Sequence, residues 1–205
     1  MAFGKTSSAL SEIFWEQLEL LIKRNGHLLT EIRREFVRKR CQEYCKAIEE
    51  KGCLMEGCWG FIDGSKVKIC RAGGHNLIQR AAHSGHKRVH CLNFQTITAP
   101  DGIILRAYGP LEGRRHDSTL YRKSGIDGSF GSALLINNKQ HCAYRDPAFP
   151  HRPWLQLGHQ GRCLDEILED FNRSMNSARI CAEWSYESIK QDFSSVGFSR
   201  KMKAK

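Results

Sequence analysis

The hydrophobic period of this chain changes twice, and this change constrains the fold more than any other feature of the sequence. Between residues 10 and 50, apolar residues recur at three- and four-residue steps, as in amphipathic helices. From residue 59 to residue 108 the pattern becomes strand-like, and between residues 164 and 193 the helical spacing returns. Helices at both ends with strands between them predict a mixed sheet covered by helices, in an α/β or α+β fold.

Local sequence signals divide the first part of the chain into elements. The run Arg24-Asn25-Gly26-His27 predicts a break between two N-terminal helices, because glycine weakens a helix interior. Strand-like runs cover residues 59–63 and 67–70, and Gly64 between them predicts an interruption. We therefore expect two helices followed by two short strands.

The middle of the chain predicts a hairpin. Residues 89–98 alternate in part between apolar and polar side chains, and Ala99-Pro100-Asp101-Gly102 is a turn signal. Residues 103–108 are expected to form the return strand. A short helix is then expected, with Asp117 or Ser118 as its N-cap. Further extended segments are predicted at residues 134–136 and 141–144.

The balance of charges favours an anionic partner. The chain has 32 Lys and Arg residues against 22 Asp and Glu residues, which gives a net charge of +10. Such a surplus suits nucleic acid, because binding releases the counterions condensed on phosphates. A merely soluble basic protein is the alternative. The sequence has neither an apolar run long enough to span a bilayer nor a secretory signal, so no membrane association is expected.

The nine cysteines are scattered along the chain, and none forms a C-x-x-C pair with another. Their number is odd and no export signal is present, so reduced thiols are expected rather than a disulfide framework. A structural zinc site is the less favoured alternative.

Four acidic residues stand where an acid does not help folding. Asp63 and Asp146 each follow a strand-like run, Asp117 follows a loop, and Glu183 lies in a largely apolar part of the last helix. Buried acids that converge need a cation to offset their repulsion, and Mg²⁺ prefers such oxygen ligands. A turn, helix-cap or surface role for each acid is the alternative, and hydrophobic periodicity does not decide between the two.

Several short strings, taken together and in order, resemble a known family. They are Gly60–Gly64, Ser84–His90, Gly109–Ser118, Tyr144–Pro150 and Phe171-Asn172. This set closely resembles the nuclease of Harbinger-type (PIF/Harbinger) DDE transposases and their domesticated relatives. The resemblance covers residues 55–195, and the order of the strings makes it specific.

That resemblance implies a ribonuclease H-like (retroviral-integrase-like) fold, in which a mixed α/β sheet is flanked by helices. The family's metal-binding acids lie on the first strand, the fourth strand and a late helix, which by position are Asp63, Asp146 and Glu183. These are the expected catalytic residues, and Asp117 matches a fourth acid of the metal site. The resemblance further implies Mg²⁺ or Mn²⁺ as cofactor and hydrolysis of DNA phosphodiester bonds with two ions.

Basic residues near these acids are the expected DNA contacts. On the late helix, Arg179 and Glu183 are four residues apart and share a face. Guanidinium groups match the geometry of phosphate oxygens, although ion pairs with Glu112 are the alternative for the two loop arginines. The expected DNA-contacting residues are Arg114, Arg115, Arg179 and Lys190.

The chain departs from the family pattern at three points. Asn176 stands where the helix signature has tyrosine, and Arg145 stands where glycine usually precedes the second acid. The chain ends at Lys205, whereas relatives continue into a further helical segment. We expect residues 1–54 to be a helical lead-in and residues 55–205 to be a C-terminally truncated DDE endonuclease domain.

The resemblance also carries expectations about partners. DNA is the expected substrate, and the nucleus is the expected location. A separate DNA-binding accessory protein and a homo-oligomer are compatible with this expectation. The alternative function is that of a catalytically silent, domesticated or decayed fragment that acts as a DNA- or protein-binding module.

Overall fold

A computed structural model describes residues 4–71, 76–145, 152–161 and 163–193 of the chain. The helices are α1 (Ser7–Asn25), α2 (His27–Thr30), α3 (Arg34–Glu50), α4 (Asn76–Ala82), α5 (Asp117–Lys123), α6 (Ile126–Ala133) and α7 (Glu166–Asp192). The strands are β1 (Cys58–Lys68), β2 (His83–Ser84), β3 (Val89–Thr98), β4 (Ile104–Glu112), β5 (Leu135–Ile136), β6 (Lys139–Gln140), β7 (Cys142–Arg145) and β8 (Leu155–Leu157).

Six of these strands form one mixed sheet. β3 pairs antiparallel with β1, β2 and β4, whereas β7 runs parallel to its neighbours β1 and β8. The order across the sheet is β4-β3-β1-β7-β8, with β2 also beside β3. β5 and β6 form a separate two-stranded ribbon. The prediction of a mixed sheet flanked by helices is confirmed at this coarse level.

The N-terminal helices follow the sequence pattern closely. The predicted break near Gly26 is confirmed, since α1 ends at Asn25 and the Gly26 N–H still donates to the Ile22 carbonyl at 2.7 Å. α3 buries one stripe of side chains against the sheet, comprising Val37, Cys41, Tyr44, Cys45 and Ile48. Among the described residues, none of the helices combines the length and the apolar character needed to cross a membrane.

The predicted interruption at Gly64 is wrong, because β1 continues through it. Gly64 pairs with Gln95 of β3, and the antiparallel register runs without a break from Phe61 to Lys68. A complete ladder of backbone hydrogen bonds with β3 outweighs the weak strand preference of one glycine. The absence of a side chain at Gly64 instead leaves room on one face of the strand.

The predicted hairpin is confirmed. The Ala99 N–H donates to the Ile103 carbonyl at 2.9 Å, and Gly102 adopts a left-handed φ of +85° that suits glycine in such a turn. Asp101 also ties this turn to α3, because its carboxylate accepts a 2.9 Å hydrogen bond from the Tyr44 hydroxyl.

Two hydrophobic clusters lie on the two faces of the sheet. On one face, Trp59 and Phe130 have ring centroids 5.9 Å apart, and Trp154 packs edge-on against Phe130. On the other face, Phe61 belongs to a cluster with Met175 and other residues of α7. The central strand β1 therefore carries buried side chains on both faces of the sheet. The later side chains of β1 alternate between the same two faces.

Candidate functional site

Asp63 is placed by the strand that precedes it. It pairs with Thr96 of β3, and its side chain is only 19% exposed. Phe61, two residues earlier on β1, belongs to the cluster on the α7 side of the sheet. Because side chains alternate along a strand, Asp63 faces α7 as well. A half-buried carboxylate at this position requires a positively charged or hydrogen-bonding partner.

α7 supplies that partner. The helix begins after Asp165, whose carboxylate accepts a hydrogen bond from the Leu168 N–H at 2.9 Å. The Arg179 guanidinium donates from Nη1 to Asp63 Oδ1 and from Nη2 to Glu183 Oε1, each at 3.0 Å. The structure thus brings the predicted acids Asp63 and Glu183 to the two sides of one guanidinium group.

Asp117 approaches from the opposite face of β1. A Cβ atom built on Gly64 would lie 3.5 Å from the Asp117 side-chain carboxyl carbon, so the glycine leaves the space that this acid fills. The prediction that Asp117 or Ser118 caps the helix is wrong, because α5 has His116 at its N-cap position, without a side-chain capping bond. Asp117 is the first helical residue, where a negative charge is favoured by the helix dipole.

Tyr186 joins β1, β3 and α7, and the sequence pattern did not single it out. Its hydroxyl lies 2.7 Å from Thr96 Oγ1 and 3.4 Å from the Asp63 carbonyl oxygen. Burial raises the pKa of Tyr186, and the negative charges of Asp63 and Asp117 raise it further. Its position three residues after Glu183, on the same helix face, is the signal that would have found it.

The predicted ligand Asp146 lies outside the described residues. Arg145, which precedes it in the sequence, is buried at the end of β7. The parallel register sets Tyr144 beside Phe61. These two residues stand two positions before Asp146 and Asp63 in the sequence.

Asn176 and Arg145, which both depart from the family pattern, contact other side chains of the fold. The Tyr144 hydroxyl donates to Asn176 Oδ1 at 3.5 Å, which links β7 to α7 where the family signature has tyrosine. Arg145 places its guanidinium 6.0 Å from the centre of the Tyr121 ring. Both substitutions are therefore accommodated inside the fold.

The loop before α5 forms a basic cavity beside Asp117. The cavity has a volume of about 350 Å³, and its lining includes Lys66, His86, Arg114, Arg115 and His116. The sequence pattern did not single out Lys66, because it lies on β1, far from this loop in the sequence. This grouping of cations next to an acid of the candidate metal site suits a phosphate group.

Besides Arg179, two of the predicted DNA contacts make ion pairs within the chain. Arg115 Nε lies 2.9 Å from Glu112 Oε2, which is the alternative considered for it, and this hydrogen bond lowers the pKa of Glu112. Lys190 Nζ lies 2.6 Å from Glu187 Oε1. Both pairs are largely exposed and thus weak, so they leave these cations able to exchange partners.

The carboxylate oxygens of this site are the donor type that suits a hard divalent cation. Asp63 and Glu183 present theirs to the Arg179 guanidinium, whereas Asp117 lies at the other face of β1. Among the described residues, these three acids do not lie close enough together to share one ion. Mg²⁺ and Mn²⁺ take such oxygen ligands in preference to sulfur. In the structure as described, Arg179 offsets the repulsion between Asp63 and Glu183.

Comparison with known proteins bears on the same region. Residues 62–205 match the family described as DDE superfamily endonuclease. All four predicted acids fall within this match, whereas α1, α2 and α3 precede it. No curated protein matches the chain, and no solved structure matches it.

Proposed function

Since this chain belongs to the DDE superfamily endonuclease family, we propose that it is the DNA-cleaving domain of a Harbinger-type transposase, dependent on a divalent metal. The observation that carries the proposal is the convergence of Asp63 and Glu183, 120 positions apart in the sequence, on the two sides of Arg179. Two acids brought by packing to one guanidinium group, in a chain of this family, support a cation site at this position.

The topology of the sheet supports a ribonuclease H-like assignment. The order β4-β3-β1-β7-β8 has three antiparallel strands followed by two parallel ones, and a long helix, α7, packs against the central strands. This arrangement sets the first strand beside the strand that leads to the second acid. The proposed fold class therefore agrees with the proposed chemistry.

Asp63, Asp117, Asp146 and Glu183 are the proposed ligands of Mg²⁺ or Mn²⁺. When bound, a pair of such ions supplies an activated water for attack on phosphorus and stabilises the charge on the leaving 3′-oxygen. Within the chain, β1 and α7 fix the direction of two of these carboxylates. Tyr186 anchors α7 to the strand at the level of Asp63 and remains protonated in its buried position.

Arg179 has two proposed roles. In the chain alone it neutralises Asp63 and Glu183 with one guanidinium group. Its fork of N–H groups also suits a DNA phosphate, with which the guanidinium would pair if these carboxylates held a cation. Arg114 and the neighbouring cavity beside Asp117 are proposed to hold the adjacent phosphate, with Arg115 and Lys190 further along the DNA backbone.

The test is cleavage of supercoiled plasmid DNA by the purified chain with Mg²⁺ or Mn²⁺. We expect nicking that is abolished by EDTA and by Asp63→Asn, because the variant loses a charged ligand without a large change in shape. Asp170→Asn is the matched control, since Asp170 is an exposed α7 residue paired only with Arg173 among the contacts described. Its activity should equal that of the native chain.

Titration with Mn²⁺ separates cleavage from binding. The native chain and the Asp170→Asn variant should bind Mn²⁺, and the Asp63→Asn variant should bind it much more weakly. The nuclease proposal fails if the folded native chain neither binds Mn²⁺ nor cuts DNA. If the native chain and the Asp63→Asn variant then bind DNA equally well, the chain is a silent DNA-binding module.

A further inference from the structure

Three buried side chains that bind soft metals meet at a point away from the acids. Cys41 and Cys45 come from α3, and His141 immediately precedes β7. Their two sulfur atoms and an imidazole nitrogen all lie within 4.8 Å of one another. Among the His, Cys, Asp and Glu side chains of the described residues, these three are the ones that lie close enough together to share one ion.

The helix explains the placement of the two thiols. Cys41 and Cys45 are four residues apart, so α3 projects both from the same face. That face is the one packed against the sheet, where Cys41 is fully buried and Cys45 is 8% exposed. Packing of the helix against the sheet thus presents both sulfur atoms toward the start of β7.

Backbone and ring contacts hold His141 in the tautomer that a metal ligand needs. The backbone N–H of His141 donates to the Leu134 carbonyl at 2.9 Å, and the ring Nδ1 lies 3.2 Å from the Lys139 carbonyl oxygen. Since a carbonyl oxygen only accepts, Nδ1 carries the proton and Nε2 keeps its lone pair. A backbone carbonyl that fixes the tautomer in this way is the usual second contact of a metal-binding histidine.

The chemistry of this donor set differs from that of the carboxylates. Thiolate and imidazole ligands select zinc and similar ions over Mg²⁺ or Mn²⁺. Tetrahedral zinc, with bonds of about 2.3 Å to sulfur and 2.0 Å to nitrogen, sets neighbouring ligand atoms roughly 3.5–3.8 Å apart. The three groups lie within 4.8 Å of one another, so closing by roughly 1 Å or less reaches that geometry.

We propose that Cys41, Cys45 and His141 form a zinc site that fastens α3 to the start of β7, with water as the fourth ligand. Water has access, because Cys45 and His141 both line a cavity of about 320 Å³ that also includes Gln42, Glu49 and Asn137. Cys142, the next residue, points elsewhere, since its thiol contacts Met55 and the Gly57 carbonyl.

The site would join two parts of the chain that the family comparison separates. Cys41 and Cys45 precede the matched residues 62–205, whereas His141 lies within them. A zinc ion held by both parts adds its binding free energy to folding, because the unfolded chain has no preformed site. This role does not depend on the proposed nuclease activity.

The experiment uses the full chain, purified under reducing conditions and stripped of metal, and titrated with Co²⁺ and then Zn²⁺. We expect one equivalent of Co²⁺ to produce the near-ultraviolet absorption of thiolate-to-cobalt charge transfer, and Zn²⁺ to displace it. This readout reports sulfur ligation in the native chain and requires no variant to fold.

Variants locate the ligands. Cys41→Ser and Cys45→Ser should each weaken Zn²⁺ binding by more than about 100-fold, because loss of even an outer-shell partner costs 10–100-fold. Cys91→Ser is the matched control, as Cys91 is a fully buried thiol on β3 that contacts Asn93 instead. Zinc should raise the melting temperature of the native chain and of this control, but not of Cys45→Ser.

Three results would each overturn the inference. One is the absence of Co²⁺ and Zn²⁺ binding in a native chain that was purified under reducing conditions and that circular dichroism shows to be folded. Another is equal Zn²⁺ affinity in Cys45→Ser and Cys91→Ser. The last is a Cys41–Cys45 disulfide, found by intact mass and peptide mapping in the chain purified under reducing conditions.

Discussion

At the scale of single residues, Arg179 occupies the space between two acids that repel one another. Its side chain is 14% exposed, which makes its pair with Asp63 stronger than an ion pair at the surface. Glu183 is 53% exposed on its side of the same guanidinium, so that part of the contact is more easily exchanged. This asymmetry suits a residue that gives up one acid more readily than the other.

Tyr186 leads to a prediction about alkaline pH. Burial, with the charges of Asp63 and Asp117, holds its pKa above the ordinary 10.0 in the folded chain. Unfolding therefore releases a proton from this group above pH 10, so its contribution to stability is present below pH 10 and is lost as the pH rises further. We expect Tyr186→Phe to flatten the decline of the unfolding free energy between pH 10 and pH 11.

Urea denaturation at several pH values measures this effect. At neutral pH, Tyr186→Phe should cost about 1 kcal/mol for the hydrogen bonds to Thr96 and Asp63. An alkaline slope that is identical in the native chain and Tyr186→Phe would contradict the assigned environment.

At the scale of elements, close contacts of the backbone position the segments around the acids. Asn172 of α7 accepts a hydrogen bond from the His159 N–H at 2.8 Å and donates to the His159 carbonyl at 3.0 Å. This pair of bonds fastens the loop after β8 to the first half of the helix. These two hydrogen bonds position the first half of α7, and the helix in turn positions Arg179 and Glu183.

Gly113 has a similar role between β4 and α5, and it gives a second prediction. A Cβ at this position would lie 2.3 Å from the Ala82 carbonyl oxygen and 2.5 Å from that of Cys91, both of them backbone atoms. Gly113→Ala should therefore shift the loop that carries Arg114 and leads to Asp117 at the start of α5. We expect a loss of about 1–3 kcal/mol in unfolding free energy, measured by chemical denaturation.

Gly128→Ala is the matched control for that substitution. Gly128 lies in α6, and a Cβ there meets nothing within 4 Å. Alanine favours the helix over glycine by about 0.5–1 kcal/mol, so this variant should be slightly more stable than the native chain. If Gly113→Ala is as stable as Gly128→Ala, the loop before α5 is not held by this close approach.

At the scale of the whole molecule, positive charge and acidic chemistry are brought to the same region. The net charge is +10, and the cavity beside Asp117 gathers side chains from β1, from the turn after β2 and from the loop before α5. Cys41, Cys45 and His141, proposed for zinc, do not line this cavity and lie on α3 and just before β7. One chain thus offers hard oxygen donors in one place and soft donors in another, and each set selects a different metal.

The charge distribution predicts how DNA binding depends on salt. Each phosphate neutralised by the chain should add about 0.9 to the slope of log affinity against log salt concentration. Arg114→Ala should reduce this slope by about 1 and weaken binding to all duplex sequences alike. Fluorescence anisotropy of a labelled duplex over a range of KCl concentrations measures the slope.

Arg38→Ala serves as the control for that measurement. Arg38 is an exposed residue of α3 paired with Glu35, and it does not line the cavity beside Asp117. Its removal changes the net charge by the same amount, so the slope should stay that of the native chain. Equal slopes for Arg38→Ala and Arg114→Ala would show that the DNA backbone does not pass the loop before α5.

Hydrophobic periodicity and turn signals predict those helices and strands that are specified by their own residues. The helices α1, α3 and α7 and the hairpin of β3 and β4 follow from apolar spacing and from the turn at residues 99–102, because these signals act between near neighbours. α6 was not predicted, since its glycines disfavour a helix and burial of Ile126 and Phe130 holds it instead.

Only the tertiary structure decided which distant side chains meet. The four-residue spacing places Arg179 beside Glu183, but nothing in the sequence predicts that Arg179 also reaches Asp63, or that Cys41 and Cys45 face His141. The continuity of β1 through Gly64 likewise depends on its pairing with β3. The physical reason is that pairing, packing and burial act between residues far apart in the chain, where local preferences carry no information.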